Sequence, residues 1–313
     1  MSAPLLSVCL ITYNHVKFIR QAIEGVIMQK VNFSLELIIA DDFSTDGTRE
    51  IITEYANRYP DIIRLILQDM NVGAAKNWRE LITAPKAKYI AYLEGDDFWS
   101  SENKLLELIS FLEANNNYSA AFHNVTVISE GQNAVHVLGN YNLWPEEKDL
   151  SIADLIESGI GCPIASASLI YRKESISDEE ILEISRLAFG DRPLEVVLGW
   201  RGRIRYFPNV MAVYRKNAQS ATAKFNWNKF EKDYEAFFLY ADRKLNFEFS
   251  HLIDIQLKNV YLLAAHQYYG LKMYNRFMEA FYKIRKYIVA SDLLKLTFIK
   301  LYIKYLFALK LKG

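Results

Sequence analysis

The feature that most constrains the fold of this chain is a regular alternation, from Leu5 to about Phe122, of short apolar runs with longer amphipathic segments. Most of the apolar runs are followed by a segment with helical periodicity. Strands that are apolar on both faces and alternate with helices form βαβ units around a parallel sheet. This part is therefore predicted to be α/β, with a mostly parallel sheet flanked by helices. The predicted strands are LSVCLIT, LELIIA, IIRLIL, KYIAYL and SAAFHNVTVIS.

Beyond this region the pattern weakens and then becomes helical. Between about Gly131 and Asn217 there are only short helical patterns and isolated strand candidates. After Phe225 the chain is almost wholly helical in pattern and rich in Tyr, Phe, Leu and Lys. We predict an α/β domain at 1–222 and a C-terminal α-helical region at 223–313. The strand candidates between them are 165–171, 203–207 and 210–214.

Charge and cysteine content narrow the class of protein. The 37 basic and 37 acidic side chains balance, whereas a nucleic-acid-binding domain is usually strongly basic, so we expect no nucleic-acid partner. Cys9 and Cys162 are the two cysteines, which argues against a disulfide framework and favours a reducing compartment. The N-terminus has no basic region before its apolar run, and no apolar stretch reaches the ~18 residues of a membrane-spanning helix. We expect a cytoplasmic protein, soluble or attached to the cytoplasmic membrane surface.

The last segment, 292–313, leaves two interpretations open. Its lysines lie among aromatic and aliphatic residues, and at helical spacing Lys300 and Lys304 share a face from which Lys310 lies away. The segment is either a helix that packs on the rest of the protein or an interfacial helix that contacts a membrane peripherally. The pattern indicates no particular oligomeric state.

Polar and acidic side chains follow three of the predicted strands. Because the loops at the carboxyl ends of parallel strands open on one side of the sheet, we expect these groups to line one crevice. Any one of them alone would more often be a turn residue or a helix cap, but three such groups at successive strand ends favour a common site. They are Thr12, Tyr13 and Asn14 after the first strand, Asp41 and Asp42 after the second, and Glu94, Asp96 and Asp97 after the fourth.

Carboxylates gathered in one crevice repel one another and raise one another's pKa unless a cation neutralises them. Carboxylate oxygens without His or Cys neighbours favour a hard ion, and Mg²⁺ characteristically uses one or two carboxylates together with substrate phosphates. The sequence therefore predicts Mn²⁺ or Mg²⁺ as a cofactor that arrives with a diphosphate.

An ordered set of motifs lies at these strand ends: SVCLITYNH, LELIIADDFSTDGT, NVGAAKNW, KYIAYLEGDDFW, and GDRPLEVVL followed by IRYFPNVMAVYR. In this order and spacing they resemble the family 2 glycosyltransferases of GT-A fold, over about residues 5–220. The resemblance implies inverting transfer of a hexosyl or N-acetylhexosaminyl group from a nucleoside-diphosphate sugar, with UDP the expected nucleotide and dTDP the alternative that the sequence leaves open. The implied acceptor is a hydroxyl of a glycan or lipid-linked acceptor in cell-surface polysaccharide assembly.

The resemblance also implies roles for individual residues. Thr12, Tyr13, Asn14 and Asp42 would hold the nucleotide base, where a carboxylate can accept the pyrimidine N3–H and Tyr can stack on the ring. Asp97 would ligate the metal, and Asp96 would contact the ribose or the metal. Further nucleotide contacts are implied for Asn71, Gly73 and Lys76.

Asp191, in FGDRPLEV, resembles the catalytic base of the family. Inverting transfer needs a carboxylate on the acceptor side to take the hydroxyl proton. The alternative is that Asp191 is the N-cap of a helix that starts at Arg192-Pro193, because Pro is favoured at the first helical position. Both roles are compatible.

Two departures from the family pattern bear on activity. Glu94 stands where the metal motif often has Asp, and Tyr214-Arg215 is followed by Lys216 where many relatives carry a His shortly afterwards. Arg215 and Lys216 then become the candidate diphosphate contacts. The departures leave open a catalytically degenerate protein of the same fold that binds nucleotide-sugars or acts as a scaffold.

The acceptor side is defined least by the sequence. Aromatic rings can pack on sugars, but each Trp here has a buried core role as its alternative. A nicotinamide-dependent oxidoreductase is disfavoured because the first strand is followed by TYNHVK, without the glycines that let a dinucleotide approach the backbone. The candidate acceptor or sugar contacts are Glu94, Trp99, Trp144, Trp200 and the segment 163–168.

Overall fold

The structure, a computed structural model, describes residues 3–130, 135–216, 226–287, 300–301 and 303–305. The chain divides into two compact units. The first comprises Met1–Leu155 and Cys162–Ala223, and the second comprises Ile156–Gly161 and Lys224–Gly313.

The first unit is built on a mixed sheet, with ten strands among the described residues. The strand order is β3-β2-β1-β4-β9-β6-β10-β5, and β7 pairs with β6 while β8 pairs with β10. The strands are β1 (Leu6–Thr12), β2 (Leu35–Asp41), β3 (Ile63–Leu67), β4 (Tyr89–Glu94), β5 (Phe98–Trp99), β6 (Tyr118–Glu130), β7 (Val135–Asn140), β8 (Lys148–Leu150), β9 (Ile170–Arg172) and β10 (Arg203–Lys216). The helices that accompany them are α1 (Ile19–Ile27), α2 (Thr48–Arg58), α3 (Ala74–Thr83), α4 (Lys104–Ala114), α5 (Ile152–Glu157), α6 (Asp178–Ile184) and α7 (Asp191–Arg201).

The half of the sheet formed by β3, β2, β1 and β4 is parallel throughout. Its central strands are buried on both faces because their residues are apolar at consecutive positions, as in Val8, Cys9 and Leu10. The α/β prediction is confirmed here. Beyond β4 the sheet is mixed, since β9 runs antiparallel to both β4 and β6 whereas β10 runs parallel to β6.

Three predicted strand candidates have different bounds in the structure. The strand candidates 203–207 and 210–214 form the single strand β10, whose register against β6 shifts between Phe207 and Val210. Pro208 lies in this irregularity, where its missing N–H breaks no regular ladder. The candidate at 165–171 begins as a 3-10 turn, Ser166–Ser168, and pairs in the sheet only from Ile170.

The second unit contains α8 (Trp227–Lys244), α9 (Ser250–Gly270) and α10 (Tyr274–Ile284). A polar network links the three helices: Glu231 accepts hydrogen bonds from Tyr268 Oη at 2.9 Å and from Lys283 Nζ at 3.0 Å. Lys283 also contacts Glu235 at 2.6 Å, and Glu235 accepts from Tyr261 Oη at 2.8 Å. Each partly buried carboxylate is therefore matched by donors from neighbouring helices.

Within the part of the chain that the structure describes, no helix is long and apolar enough to cross a membrane. Most of the predicted interfacial segment 292–313 lies outside the described residues. Its interpretation as a packing or membrane-surface helix stays a prediction.

Candidate functional site

The carboxyl ends of β2, β1 and β4 lie side by side. Thr12 pairs with Asp41 and Ile11 pairs with Glu94 in the register of the parallel sheet. Pairing continues into the loops, because Asp42 N–H donates to Thr12 O at 3.1 Å and Gly95 N–H donates to Ile11 O at 2.9 Å. The three groups of polar residues therefore meet at one edge of the sheet, as expected from the rule for open parallel sheets.

The turn after β4 packs directly on the end of β1. A Cβ atom at Gly95 would lie 2.7 Å from His15 Nδ1 and 2.8 Å from Thr12 Oγ1, which is closer than van der Waals contact allows. His15 Nδ1 and Thr12 Oγ1 are themselves 3.2 Å apart. Burial lowers the pKa of His15, while the nearby carboxylate of Asp96 opposes this effect. His15 is a residue of the crevice that was not predicted from the sequence, since its neighbours Gly95 and Asp96 belong to the turn after β4.

The two aspartates at the end of β2 have different surroundings. Asp41 is fully buried, and its carboxylate accepts from Arg49 Nε at 2.7 Å and from Ser44 N–H at 3.1 Å. Asp42 instead accepts from the backbone N–H groups of Val72 at 2.7 Å and Gly73 at 3.0 Å. Asp41 therefore has a structural role within the polypeptide, whereas Asp42 stabilises the turn that was predicted to contact the nucleotide.

This turn and the loop after β1 present the other predicted nucleotide contacts. Asn71 Nδ2 donates to Asp42 O at 3.3 Å, and Gly73 has a positive φ of 85° that favours glycine. Tyr13 is 46% exposed, so its ring is available to a ligand. Asn14 is engaged within the loop, because its Oδ1 accepts from Thr45 N–H at 3.0 Å. On α3, the Lys76 side chain is half exposed, with Nζ 3.8 Å from a Glu80 oxygen.

Asp97 is the most distinctive group of the acidic turn. It is 1% exposed, and its Oδ1 accepts from Arg215 N–H at 2.8 Å, while its Oδ2 has no hydrogen-bond partner. Burial and the charges of Glu94 and Asp96 raise its pKa well above the usual range. A buried carboxylate oxygen without a partner is costly unless something absent from the polypeptide pairs with it.

Glu94 responds to charges both in the acidic turn and at Asp191. Burial, followed by the charges of Asp96 and Asp191, raises the pKa of Glu94 to about 8. Asp191 is therefore within electrostatic reach of this turn although 97 positions separate the two residues in sequence.

The carboxylates of this turn meet the needs of a divalent cation only in part. Nowhere in the described ranges do three or more His, Cys, Asp or Glu side chains form a group that could hold a metal ion. The partnerless Asp97 Oδ2 and the buried Asp96 next to it nevertheless fit an ion that takes one or two carboxylates and completes its shell with phosphate oxygens. The side chains present fit the predicted metal in this limited way.

Arg215 lies beneath the acidic turn and is 5% exposed. Its guanidinium lies between the rings of Phe18 and Phe98, 4.8 and 4.9 Å from their centroids, and donates to Asp96 O. These contacts give Arg215 a structural role, and its predicted diphosphate contact stays a prediction. Lys216 is exposed, and the residues that follow it, 217–225, lie outside the described part of the chain.

Asp191 is the first residue of α7, and Gly190 rather than Asp191 is the N-cap. The interpretation of Asp191 as an N-cap of this helix is therefore wrong by one position. Its exposed carboxylate accepts through Oδ1 from Arg192 N–H at 2.9 Å. A negative side chain in the first turn interacts favourably with the helix dipole.

Three side chains that the sequence did not single out surround Asp191. Arg192 and Glu195 are 2% and 1% exposed and form an ion pair one turn apart on α7. Cys162 Sγ lies 3.2 Å from Glu195 Oε1 and 3.6 Å from Asp191 Oδ2. The i, i+3 spacing of Arg192 and Glu195 was a readable signal for their pairing, but nothing in the sequence predicted the contact with Cys162.

The interpretation of Trp99 as a sugar platform is wrong. Trp99 is 1% exposed, its Nε1 donates to Ala167 O at 2.8 Å, and Lys104 Nζ lies 4.1 Å from its ring centroid. Trp99 belongs to the core because α1 and α4 cover β5, the strand at the end of the sheet. Trp200 and Trp144 are partly exposed, and their predicted sugar contacts stay predictions.

Comparisons with known proteins agree with this architecture. A family model described as Glycosyl transferase family 2 matches residues 7–177. An uncharacterized protein of Mycobacterium tuberculosis is 34% identical over 213 residues, which are 68% of this chain and 59% of that protein. The chain thus spans less than two thirds of that relative. The putative teichuronic acid biosynthesis glycosyltransferase TuaG of Bacillus subtilis is 33% identical over 109 residues, covering 35% of this chain and 42% of TuaG.

Solved structures share the fold. TarS of S. aureus (residues 1–349) in complex with UDP superposes with a TM-score of 0.65 at 14% identity, covering 97% of this chain and 88% of TarS. The mannosyltransferase PcManGT of Pyrobaculum calidifontis, in complex with GDP-Man and Mn²⁺, has a TM-score of 0.53 at 15% identity, covering 100% of this chain and 87% of that one. These likenesses confirm the predicted GT-A fold.

Proposed function

The chain belongs to glycosyl transferase family 2, and we propose that it is an inverting, metal-dependent glycosyltransferase. It transfers a hexosyl or N-acetylhexosaminyl group from a UDP-sugar to a hydroxyl of a glycan or lipid-linked acceptor. The α/β domain at 1–222 carries the reaction. The observation that carries the proposal is the buried Asp97 carboxylate, one oxygen of which has no partner, at the carboxyl edge of the parallel sheet.

Donor binding is assigned to the end of β1 and the turn held by Asp42. The exposed ring of Tyr13 stacks on the base, and Asp42 accepts the N3–H of a pyrimidine through a lone pair that the turn leaves unused. Thr12, Asn14, Asn71, Gly73 and Lys76 complete the predicted nucleotide contacts. The UDP complex of TarS supports a uridine nucleotide.

Asp97 and Asp96 are the residues that would hold Mn²⁺ or Mg²⁺. When bound, the ion neutralises the charge of the diphosphate and stabilises the departing nucleoside diphosphate. The Mn²⁺ in PcManGT supports a divalent ion for this fold. Arg215 fixes Asp97 from the protein side through its backbone N–H, so the carboxylate is oriented before any ligand arrives.

Asp191 is the proposed proton acceptor. Its exposed carboxylate lies on the acceptor side, where it takes the proton of the attacking hydroxyl while the bond between the sugar C1 and the nucleoside diphosphate breaks. Attack opposite to the leaving group inverts the anomeric centre. Glu94, whose carboxyl pKa is raised to about 8 by burial and by the charges of Asp96 and Asp191, remains a candidate contact of the sugar or acceptor.

The proposed setting is the cytoplasmic side of a membrane at which a cell-surface polysaccharide is assembled. The assignment of TuaG to teichuronic acid biosynthesis supports an acceptor of this kind. The predicted peripheral membrane contact of 292–313 would bring the site close to a lipid-linked acceptor.

Binding of a panel of donors tests the proposal without an acceptor. Thermal shift and calorimetry with UDP-glucose, UDP-galactose, UDP-N-acetylglucosamine and GDP-mannose, each with Mn²⁺ or with EDTA, should show stabilisation by a UDP-sugar that requires Mn²⁺. Release of UDP from the stabilising donor then measures turnover. The absence of Mn²⁺-dependent binding by every donor contradicts the proposal.

A second candidate is a nucleotide-sugar-binding or scaffold protein that does not turn over. Lys216 follows Tyr214-Arg215 where the family pattern implies a His shortly afterwards, and this departure favours the second candidate. Donor binding without release of UDP or transfer to any acceptor identifies this second candidate.

A further inference from the structure

The partly buried Cys162 and the buried Arg192 and Glu195 form a polar cluster next to Asp191. Cys162 Sγ is 3.6 Å from Asp191 Oδ2, 3.2 Å from Glu195 Oε1 and 3.1 Å from Ile164 O. The other oxygen of Asp191, Oδ1, accepts from Arg192 N–H at 2.9 Å. Both oxygens of this exposed carboxylate thus have a neighbour that can donate.

The far side of the cluster is anchored to the core. Glu195 pairs with Arg192, and Arg192 also donates to Leu155 O at 2.8 Å. Since both charged residues are at least 98% buried, neither can leave its partner without a large desolvation cost. Glu195 therefore provides a fixed point against which the thiol is held.

We propose that Cys162 is a positioning residue for Asp191: its thiol lies against the buried Glu195, donates to Asp191 Oδ2 and so fixes the direction in which the exposed carboxylate faces the acceptor. This inference rests on the proposed function, in which Asp191 takes the acceptor proton. A general base is effective only when it is held within hydrogen-bond reach of that proton. Without the Oδ2 contact, Asp191 retains one backbone hydrogen bond and can rotate about χ1 and χ2.

The thiol is suited to this role because it remains protonated. Burial, together with the charges of Glu195 and Asp191, raises the pKa of Cys162 well above its usual range. The thiol therefore keeps one proton to donate, and Asp191 Oδ2 is one of the three acceptors around Sγ. The titratable and charged groups that influence or contact Asp191 are Glu94, Tyr92, Tyr141, Cys162, Arg192 and Glu195.

Four variants test the proposal through UDP release from the UDP-sugar selected in the donor panel, with Mn²⁺. Cys162→Ala should lower kcat by roughly 10-fold at constant KM for the donor, because orientation and not donor binding is lost. Cys162→Ser, which keeps a donor, should recover most of this loss.

Cys9→Ala is the matched control and should leave kcat unchanged, since Cys9, the other cysteine, lies in β1 with its Sγ in contact with Leu81 O. In an Asp191→Asn background, Cys162→Ala should cause no further loss. Equal kcat and pH profile for wild type and Cys162→Ala overturn the proposal.

A measurement that needs no turnover separates this proposal from the proposed function. Carbon-detected NMR of protein labelled at Asp carboxyl carbons, with Asp191 assigned through Asp191→Asn, reports the environment of the Asp191 carboxylate directly. Loss of the S–H contact should shift the Asp191 carboxyl resonance in Cys162→Ala, whereas Cys9→Ala should leave it in place. An unchanged resonance in Cys162→Ala refutes the positioning role even where glycosyl transfer is established. A shifted resonance in a protein that binds no donor supports the positioning role while the proposed function fails.

Discussion

The backbone N–H of Arg215 donates to Asp97 Oδ1 over 2.8 Å and leaves Oδ2 of the same carboxylate without a hydrogen-bond partner. The carboxylate is thus fixed through one oxygen, while the other is available to a cation. The guanidinium of the same arginine lies over the rings of Phe18 and Phe98, and these contacts help to hold Arg215 in place. The acidic turn is therefore oriented by the fold before a ligand binds.

Asp97→Asn should abolish Mn²⁺-dependent donor binding and lower UDP release by about 100-fold or more, because an amide oxygen binds a hard cation more weakly than a carboxylate. Calorimetry with UDP and Mn²⁺ measures the first effect. Asp61→Asn, on the exposed segment before β3, is the control and should bind normally. Mn²⁺-dependent binding that survives in Asp97→Asn would remove Asp97 as a ligand.

Asp191→Asn should reduce kcat by roughly 10²- to 10⁴-fold while the affinity for UDP stays the same, since an amide cannot accept the acceptor proton. Steady-state kinetics and calorimetry separate the two effects. Asp178→Asn changes the equivalent first residue of α6, whose side chain is 81% exposed, and should retain full activity. Activity that is untouched by Asp191→Asn rules out the proposed proton acceptor.

Tyr13→Ala should weaken UDP binding by about 1–3 kcal/mol, the usual contribution of one base stacked on an aromatic ring. The melting temperature without ligand should change little, because the Tyr13 side chain is already 46% exposed. Tyr282→Ala, at a 71% exposed position of α10, is a matched aromatic control. Equal dissociation constants for UDP in wild type and Tyr13→Ala would place the base elsewhere.

Gly95→Ala should destabilise the fold by about 1–3 kcal/mol, because the new Cβ would overlap Thr12 and His15. Urea denaturation measures the loss. Gly270→Ala, at the end of α9, meets no atom within 4 Å and should be neutral or stabilising by up to about 1 kcal/mol. If Gly95→Ala is as stable as the wild type, the turn after β4 packs less closely against β1 than the structure shows.

Lys104→Met should stabilise the protein by about 1–3 kcal/mol near neutral pH, because the buried Nζ has no hydrogen-bond partner. Burial lowers the pKa of Lys104 well below 10.5, so between the folded-state pKa and 10.5 the unfolded chain binds a proton that the folded chain does not. Wild-type stability should therefore rise with pH across this window, and the rise should be smaller in Lys104→Met.

Urea denaturation at about pH 7 and pH 9 measures both effects of Lys104→Met. Lys88→Met is the control, since Lys88 is 46% exposed in a surface ion pair, and it should change stability by less than about 0.5 kcal/mol. A loss of stability in Lys104→Met would mean that the contact of Nζ with the Trp99 ring outweighs the cost of burial.

The parallel half of the sheet was predictable because its information is local. Runs such as Leu6–Thr12 and Leu35–Asp41 are apolar at consecutive positions, and each specifies its strand without reference to the rest of the chain. The meeting of Thr12, Asp42 and Asp97 followed from the topology rule alone. The family assignment rested on the order of motifs at these strand ends, and the match over residues 7–177 confirms it.

The remaining features depend on partners that lie far away in sequence. Asp41 and Asp42 are chemically alike, and only the folded contacts with Arg49 and with the 72–73 backbone distinguish their roles. The burial of Trp99 depends on Ala167, 68 residues later. The contact of Cys162 with Glu195 spans 33 residues. No local pattern encodes such pairings.

The single strand β10 ends beside the acidic turn, because its Arg215 holds Asp97 through a backbone N–H. It begins at Arg203, just after the helix that opens with Asp191, and it ends at Lys216, one residue beyond the amide that holds Asp97. One inserted or deleted residue in its straight part would displace the rest of the strand by about 3.3 Å and turn every later side chain to the opposite face. A change of chain length within this strand would therefore move the amide that holds Asp97, whereas a change in the connections around the sheet would not.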